Sequence, residues 1–338
     1  MDGKETYQAV QAVGPGRLEL TRKPIQEPGP DEVRVRVEAC GVCHSDAATV
    51  EGQFPVDFPR VPGHEVVGRI DALGSAVHGW TVGQRVGVGF LGGSCGYCEF
   101  CRCGDLVNCK NQGYTGVHSD GGYAEVMIVK ASGLVRIPDG LSSVNAAPLL
   151  CAGLTTFNAL RNAAKAGDLV AVLGLGGLGH LAVQYARQMG FEVVAIARGT
   201  DKAELAKQLG AHHYIDSAAS DPAAALQALG GASVILVTAP AAKTIAATFK
   251  GLRPGGTTID LGVGTDPIES SSMELIFGNR KLEGSLTGDP ATGDATLRFS
   301  ALTGVSPMTE TLPLQKAADA YARMASGKAR FRMVLTMT

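Results

Sequence analysis

The sequence lacks a surplus of positive charge. Its 30 lysines and arginines are outnumbered by 32 aspartates and glutamates, for a formal net charge of −2. No run of consecutive basic residues compensates for this. Because binding to a phosphate backbone requires a concentrated positive surface, the sequence argues against a nucleic-acid partner.

Long apolar runs are also missing. The longest apolar stretch, residues 169–183, is interrupted by glycines and by His180, so it does not suit a membrane span. Residues 1–5 are polar, and no apolar signal-peptide core follows them. We therefore expect a cytoplasmic protein with no membrane partner.

Glycine and cysteine are the residues that the sequence has in quantity. The 45 glycines in 338 residues are about twice the usual share, and they lie between apolar runs, as many tight turns would require. Eight cysteines are present, several in CxxC spacing. Without a secretory signal, this spacing favours metal ligation over disulfides.

The pattern along the chain predicts two domains. Residues 1–151 contain short β-branched strands, such as residues 32–37 and 84–88, separated by glycine and proline. Beyond them, strands alternate with alanine-rich helices, which is typical of a doubly wound parallel sheet in an α/β protein. The predicted strands are residues 169–173, 192–197, 234–237 and 257–261, and the predicted helices end near residue 189 and cover 202–209.

After residue 288 this alternation weakens. A helical stretch at 315–326 and a strand at 332–336 are expected to return to the first domain. The predicted boundaries are therefore 1–151 with 288–338 for one domain, and 152–287 for a dinucleotide-binding domain of Rossmann type.

A glycine-rich turn opens the second domain. The predicted strand is followed by Gly174, Gly176, Gly177 and Gly179 in a GxGxxG pattern, and a helix begins at once. Gly174 suits the tight turn, Gly176 lets a pyrophosphate approach the helix N-terminus, and Gly179 permits close helix–strand packing. A structural turn without a ligand is the alternative.

The end of the following strand bears on which dinucleotide binds. NAD sites usually carry a carboxylate there for the adenosine ribose, but this strand ends in Arg198 and no acid occurs before Asp201. Arg198, helped by Lys202, is suited to pairing with a 2′-phosphate. We expect NADP to be preferred over NAD; alternatively Arg198 is only a solvated residue and both cofactors bind.

Four cysteines in one short segment form the pattern CxxCxxCx₇C. They are Cys95, Cys98, Cys101 and Cys109, whereas Cys103 breaks the spacing and is expected to be a spare thiol. Four thiolates suit a closed tetrahedral zinc site, which would be structural because it has no open position. An iron–sulfur cluster and a disulfide pair are the alternatives.

Several further motifs lie far apart in the chain, so spacing alone does not connect them. They are Gly41-Val-Cys43-His44-Ser45-Asp46, Pro62-Gly63-His64-Glu65, Leu150-Cys151-Ala-Gly-Leu-Thr155 and Arg332-Met-Val-Leu335. Together with the four-cysteine segment and the glycine-rich turn, they resemble the zinc-containing medium-chain alcohol dehydrogenases, in particular the yeast-type and bacterial branch. The resemblance covers essentially the whole chain and implies a mostly β, GroES-like catalytic domain.

The resemblance also implies the roles of individual residues. A catalytic zinc is expected on Cys43, His64 and Cys151, with Glu65 close behind it as an occasional ligand and Asp46 orienting His64. Two thiolates and a neutral imidazole balance the metal's charge and leave it a Lewis acid. The remaining implied residues are Ser45, which accepts the alcohol proton, His44 and Arg332 at the pyrophosphate, and Thr155 against the nicotinamide.

Two departures from the family pattern are expected to affect performance. Ala48 stands where many members carry a histidine that passes the proton to solvent, so the proton must leave by another route. Phe54 and Phe90 stand where the yeast-type enzymes carry tryptophans, which predicts a wider pocket for longer or aromatic primary alcohols and aldehydes. Cys40 matches no ligand position and is expected in the core.

The predicted function is therefore hydride transfer between NAD(P)(H) and an alcohol or aldehyde. The resemblance also implies a homodimer or homotetramer formed through the cofactor domain. The zinc-free quinone and enoyl reductases share the fold, but they lack the three ligands. A dinucleotide-binding redox sensor without turnover is a further alternative.

Overall fold

The structure, a computed structural model, describes residues 5–240 and 242–337. The polar segment 1–4 lies outside the described residues. The chain divides into two compact units. Unit 1 comprises residues 1–154 and 288–338, and unit 2 comprises residues 155–287. The first boundary between the two units follows Leu154.

The described residues form fifteen strands. In chain order they are β1 (Thr6–Gly14), β2 (Arg17–Pro24), β3 (Glu32–Val42), β4 (Glu65–Leu73), β5 (Arg85–Val88), β6 (Val126–Lys130), β7 (Leu134–Arg136), β8 (Leu169–Leu173), β9 (Glu192–Ala197), β10 (His213–Asp216), β11 (Ala232–Val237), β12 (Leu252–Asp260), β13 (Lys281–Gly284), β14 (Thr309–Pro313) and β15 (Arg332–Thr336).

Eleven α-helices accompany them in the same part of the chain. They are α1 (Ala47–Val50), α2 (Glu99–Arg102), α3 (Ser143–Pro148), α4 (Leu154–Leu160), α5 (Gly179–Gln188), α6 (Ala203–Gln208), α7 (Pro222–Ala228), α8 (Ala242–Phe249), α9 (Ser272–Ile276), α10 (Pro290–Thr303) and α11 (Ala317–Ala325). None of the helices in residues 5–240 and 242–337 combines the length and apolarity needed to cross a bilayer.

Unit 2 is a doubly wound α/β unit. Its six strands are all parallel and lie in the order β10-β9-β8-β11-β12-β13. This is the order in which the two halves of a Rossmann fold wind outward from the first strand. The strands β8 and β11 are buried along their whole length, because helices cover both faces of a parallel sheet. The predicted fold class is confirmed for this unit.

Unit 1 is built mostly from antiparallel strands. One sheet follows the order β14-β15-β3-β4-β5-β7, with β6 also paired to β3, and β1 pairs with β2 in a second sheet. Val33, Val35 and Val37 of β3 point into the core while the residues between them are more exposed, as the period of two predicted. The predicted strand at 332–336 is confirmed as β15, and it pairs antiparallel with β3.

Candidate functional site

Three of the predicted site residues of unit 1 lie where strands begin or end. Cys43 directly follows β3, His64 directly precedes β4, and Arg332 begins β15. The antiparallel pairing sets Gly41 opposite Glu65 and Val42 opposite Met333. The register therefore brings these strand ends together at one edge of the sheet.

Cys151 reaches the same place from a different element. It lies in a π-helical turn, Leu149–Gly153, between α3 and α4, and such turns often occur at functional positions. Its sulfur lies 3.8 Å from that of Cys43. Ligand atoms of Cys43, His64, Glu65 and Cys151 all lie within 4.8 Å of one another. The structure therefore joins the residues that spacing alone left separate.

The donor set fits a tetrahedral metal ion. Zn–S bonds of ~2.3 Å at tetrahedral angles place two sulfurs ~3.8 Å apart, as found for Cys43 and Cys151. His64 Nε2 and Glu65 Oε2 are buried and have no hydrogen-bond partner among the described residues. A buried polar atom without a partner is costly, and a metal ion between these groups would remove that cost.

Asp46 determines which nitrogen of His64 is available. Its Oδ1 accepts a hydrogen bond of 2.9 Å from His64 Nδ1, and both side chains are buried. A carboxylate only accepts, so Nδ1 carries a hydrogen and Nε2 is the ring nitrogen left for a metal ion. Burial disfavours the charged imidazole, but Asp46 more than offsets this and raises the pKa of His64.

The two thiols of the cluster ionise unequally. A hydrogen bond from Cys151 lowers the pKa of Cys43, while the same contact raises the pKa of Cys151. Cys43 is therefore the first of the pair to become a thiolate, the form that binds metal.

Glu65 is held in a buried ion pair with Arg332. Burial raises the pKa of Glu65 to about 8 against the opposing effect of Arg332. Arg332 was expected at a pyrophosphate, whereas here its guanidinium is buried against Glu65. The contact links β15 to β4 at Glu65, which is itself a member of the four-residue cluster.

The remaining predicted residues of unit 1 differ in exposure. His44 and Ser45 lie in a 3₁₀ turn, His44–Asp46, and both are exposed. Ala48 is buried in α1. Phe54 is 44% exposed, and its backbone N–H donates to Ala48 O at 3.2 Å. The side chain of Ser45 therefore faces solvent. Ala48 has no group that could transfer a proton.

Phe90 is part of an aromatic stack that sequence reasoning did not identify. Its ring meets the His64 ring edge-on, with 5.2 Å between centroids. Tyr114 stacks on Phe90 with 4.7 Å between ring centroids, and His118 stacks on Tyr114 at 5.1 Å. The stack fixes Phe90 beside the imidazole, where it forms an apolar wall.

The four-cysteine segment forms a second cluster around α2. The ligand atoms of four cysteines lie within 4.8 Å of one another: Cys95, Cys98, Cys101 and Cys109. The sulfur of Cys95 lies 3.6 Å from that of Cys109 and 3.9 Å from that of Cys101. These match a tetrahedral thiolate site. All eight cysteines are free, so no disulfide competes. Cys103 is exposed and outside the cluster, and Cys40 lies in the core.

The glycine-rich turn in unit 2 lies between β8 and α5. His180, which is fully buried, donates from Nδ1 to Gly176 O at 3.0 Å, and Lys202 donates to Leu175 O at 2.9 Å. Both bonds occupy carbonyls of the turn, and the turn leads directly into the N-terminus of α5, where an anion is favoured. Thr155, also in this unit, is buried and lies 3.4 Å from Thr287 through the side-chain oxygens.

The turn after β9 is held by groups from β10. Gly199 N–H donates to Asp216 Oδ1 at 2.8 Å, and the Tyr214 hydroxyl donates to Gly199 O at 2.6 Å. Asp216 also accepts from the Ala218 N–H, so backbone donors balance its charge. Arg198 beside this turn is exposed, as an anion-binding side chain would be.

Sequence comparisons identify relatives along the whole chain. Residues 29–139 match the alcohol dehydrogenase GroES-like domain, and residues 177–301 match the zinc-binding dehydrogenase domain. The chain is 41% identical over 321 residues to alcohol dehydrogenase notN of Aspergillus sp. (strain MF297-2), covering 95% of this chain and 94% of that protein.

Two solved structures are similar over their full length. A cinnamyl alcohol dehydrogenase of Sorghum bicolor has a TM-score of 0.89 and 30% identity, covering 98% of this chain and 97% of that one. A CAD of Helicobacter pylori complexed with NADP(H) has a TM-score of 0.86 and 28% identity, covering 98% of both chains. These similarities agree with the fold and with the two clusters described above.

Substitutions at two glycines of the turn test dinucleotide binding and folding stability separately. A Cβ at Gly176 would meet no atom within 4 Å, whereas one at Gly179 would lie 1.9 Å from Gly174 O. We predict that Gly176→Ala keeps the melting temperature but weakens dinucleotide binding about tenfold, because the methyl group occupies the space for the pyrophosphate. Gly179→Ala should lower the free energy of unfolding by about 1–3 kcal/mol.

Thermal denaturation and fluorescence titration with NADPH and NADH measure the two quantities separately. Unchanged dinucleotide affinity in Gly176→Ala, at wild-type stability, would show that the turn does not approach the phosphates.

Proposed function

The chain belongs to the zinc-containing medium-chain alcohol dehydrogenases, and we propose that it transfers a hydride between NAD(P)(H) and a primary alcohol or aldehyde. The convergence of Cys43, His64, Cys151 and Glu65 within 4.8 Å is the observation that carries the proposal. The zinc-free reductases that share the fold lack such a set of metal-binding side chains.

We assign Cys43, His64 and Cys151 as ligands of a catalytic zinc, and the four-cysteine cluster as a structural zinc site. When bound, the catalytic ion supplies Lewis acidity at the substrate oxygen, and the dinucleotide supplies or accepts the hydride. The four-cysteine cluster has no open position for a substrate because all its donors are thiolates.

The chain's own residues handle the proton. In alcohol oxidation, Ser45 would accept the substrate's hydroxyl proton and pass its own hydroxyl proton to water, while the dinucleotide would take the hydride. The solvent exposure of Ser45 supports this direct exit, which replaces the route that a side chain at Ala48 does not offer. Asp46 keeps His64 in the tautomer whose Nε2 can bind the metal.

The substrate pocket is proposed to accept longer and aromatic substrates. Phe90, held between His64 and Tyr114, offers a flat apolar wall, and Phe54 is suited to the opening of the pocket. The similarity to a cinnamyl alcohol dehydrogenase supports an aromatic alcohol or aldehyde among the substrates.

The cysteines bear on the location of the protein. All eight are free thiols, which supports a reducing, cytoplasmic location.

Metal content and turnover together test the assignment. We predict about two zinc ions per chain in the wild type. Cys151→Ser should retain about one and lose at least about 100-fold in kcat/KM with primary alcohols. The exposed Cys103 offers the matched control, since Cys103→Ser should keep both ions and full activity. Wild-type turnover in Cys151→Ser, measured beside elemental analysis, would contradict the proposal.

We also propose a preference for NADP over NAD. The exposed Arg198 directly follows β9, and no carboxylate lies between the end of this strand and Asp201, so no acidic side chain at this strand end repels a 2′-phosphate. The similarity to a structure complexed with NADP(H) is in line with this choice.

Arg198→Asp should lower the ratio of kcat/KM for NADP to that for NAD by about tenfold or more, because a charge-assisted bond is replaced by repulsion. Lys207→Asp, the same charge change on the exposed face of α6, should leave the ratio unchanged. Initial rates with both cofactors at one pH measure it, and equal ratios in Arg198→Asp and wild type would refute the preference.

Finally, we propose a homodimer or homotetramer formed through unit 2. The strand β13 is an edge strand of the parallel sheet, and such edges tend to be covered. The segment around β13, residues 263–286, also carries five apolar side chains that are 50% to 81% exposed: Val263, Met273, Ile276, Phe277 and Leu286. A surface of this kind marks an association site.

Ile276→Asp should lower the molecular mass measured by light scattering to that of the monomer. Leu302→Asp serves as the control, because Leu302 is 84% exposed but belongs to unit 1. An unchanged mass for Ile276→Asp would place the interface elsewhere.

A further inference from the structure

The carboxylate of Asp46 accepts hydrogen bonds from three groups, and one of these groups, the Tyr123 hydroxyl, has no role assigned so far. Its Oδ1 faces His64, while its Oδ2 accepts from the Cys43 backbone N–H at 2.9 Å and from the Tyr123 hydroxyl at 2.9 Å. Tyr123 is fully buried. The hydroxyl is therefore two hydrogen bonds away from the His64 ring.

Tyr123 also contacts the segment that leads into His64. Its backbone N–H donates to Pro62 O at 3.0 Å, and the neighbouring Gly122 N–H donates to Gly63 O at 2.9 Å. The Tyr123 ring lies so close to Gly63 that a Cβ there would be 2.5 Å from ring carbon Cδ1. One residue thus holds His64 through the backbone before it and through the carboxylate beside it.

We propose that Tyr123 is a positioning residue for His64, acting through Asp46. Its hydroxyl holds the carboxylate in the orientation in which Oδ1 receives the Nδ1 hydrogen, so that Nε2 stays directed at the metal. The proposal rests on the zinc site assigned to Cys43, His64 and Cys151 above.

The hydroxyl matters because the carboxylate that it binds is buried away from solvent. The Asp46 side chain is 1% exposed, so loss of one donor leaves a buried carboxylate oxygen with only the Cys43 N–H. Such a loss is costly for a charged acceptor. Burial, together with the charge of Asp46, raises the pKa of Tyr123, so the hydroxyl keeps its proton and remains a donor.

Tyr123→Phe removes the oxygen and keeps the ring against Gly63. Zinc release is followed after zinc-loaded protein is mixed with excess EDTA, and the phase that is missing in Cys43→Ser is assigned to the catalytic site. In Tyr123→Phe this phase should become about 3- to 10-fold faster. The effect is somewhat smaller than that of removing a residue that bonds directly to a metal ligand. The phase from the four-cysteine site should keep its rate and serves as the internal control.

The matched control is Tyr321→Phe. Tyr321 lies in the same unit and donates to a carboxylate, Glu51 Oε1, at 3.0 Å, but no metal ligand touches that carboxylate in the described structure. Tyr321→Phe should therefore leave both release phases at wild-type rates.

A double-mutant cycle distinguishes positioning from packing. In an Asp46→Asn background, Tyr123→Phe should change the release rate less than twofold, because the bond to the charged carboxylate is already gone. An equal effect in both backgrounds, or no effect of Tyr123→Phe alone, would overturn the proposal. If Asp46→Asn does not fold, the cobalt-substituted Tyr123→Phe should show displaced ligand-field bands, and a spectrum identical to the wild type would overturn it.

The metal count separates this inference from the function on which it rests. Release of a single zinc ion by wild-type protein, from the four-cysteine site alone, would contradict the assigned catalytic site. Release of two ions at rates that Tyr123→Phe does not alter would contradict only the role of Tyr123.

Discussion

The buried carboxylate of Asp46 is the group on which the metal cluster depends. It accepts hydrogen bonds from His64, from the backbone of Cys43 and from Tyr123, and each donor comes from a different segment of unit 1. A buried charge without donors is strongly unfavourable, so the three segments are stabilised by assembling together. The same assembly leaves the Nε2 lone pair of His64 with no protein partner.

The strand register supplies the rest of the cluster. Because β3 pairs with both β4 and β15, the residues at their ends meet at one edge of the sheet. Arg332 can then pair with Glu65 across that edge. The π-helical turn that carries Cys151 completes the donor set from outside the sheet, which explains why ligands from remote segments converge.

The two units use different chemistry for their ligands. In unit 1 the donors are side chains, which suits a small ion that needs soft ligands at fixed distances. In unit 2 the glycine-rich turn presents backbone rather than side chains, and His180 and Lys202 bind its carbonyls. Backbone donors suit an extended anion, because a phosphate needs several N–H groups rather than one ligand atom.

The sequence by itself determined the structural features that depend only on residues close together in the chain. The period of two in β3, the βαβ alternation of unit 2, the glycine-rich turn and the four-cysteine cluster all act over short stretches, so their spacing was sufficient to predict them. Family resemblance extended this to Cys43, His64 and Cys151.

Only the tertiary structure decided the contacts between remote segments. The Cys43 and Cys151 sulfurs meet across 108 residues, and the Tyr123 hydroxyl reaches Asp46 across 77. The Phe90 stack and the Arg332–Glu65 pair depend in the same way on strand register. No local pattern encodes such contacts, because the distance between two side chains on different strands is set by how the sheet pairs and not by their separation along the chain.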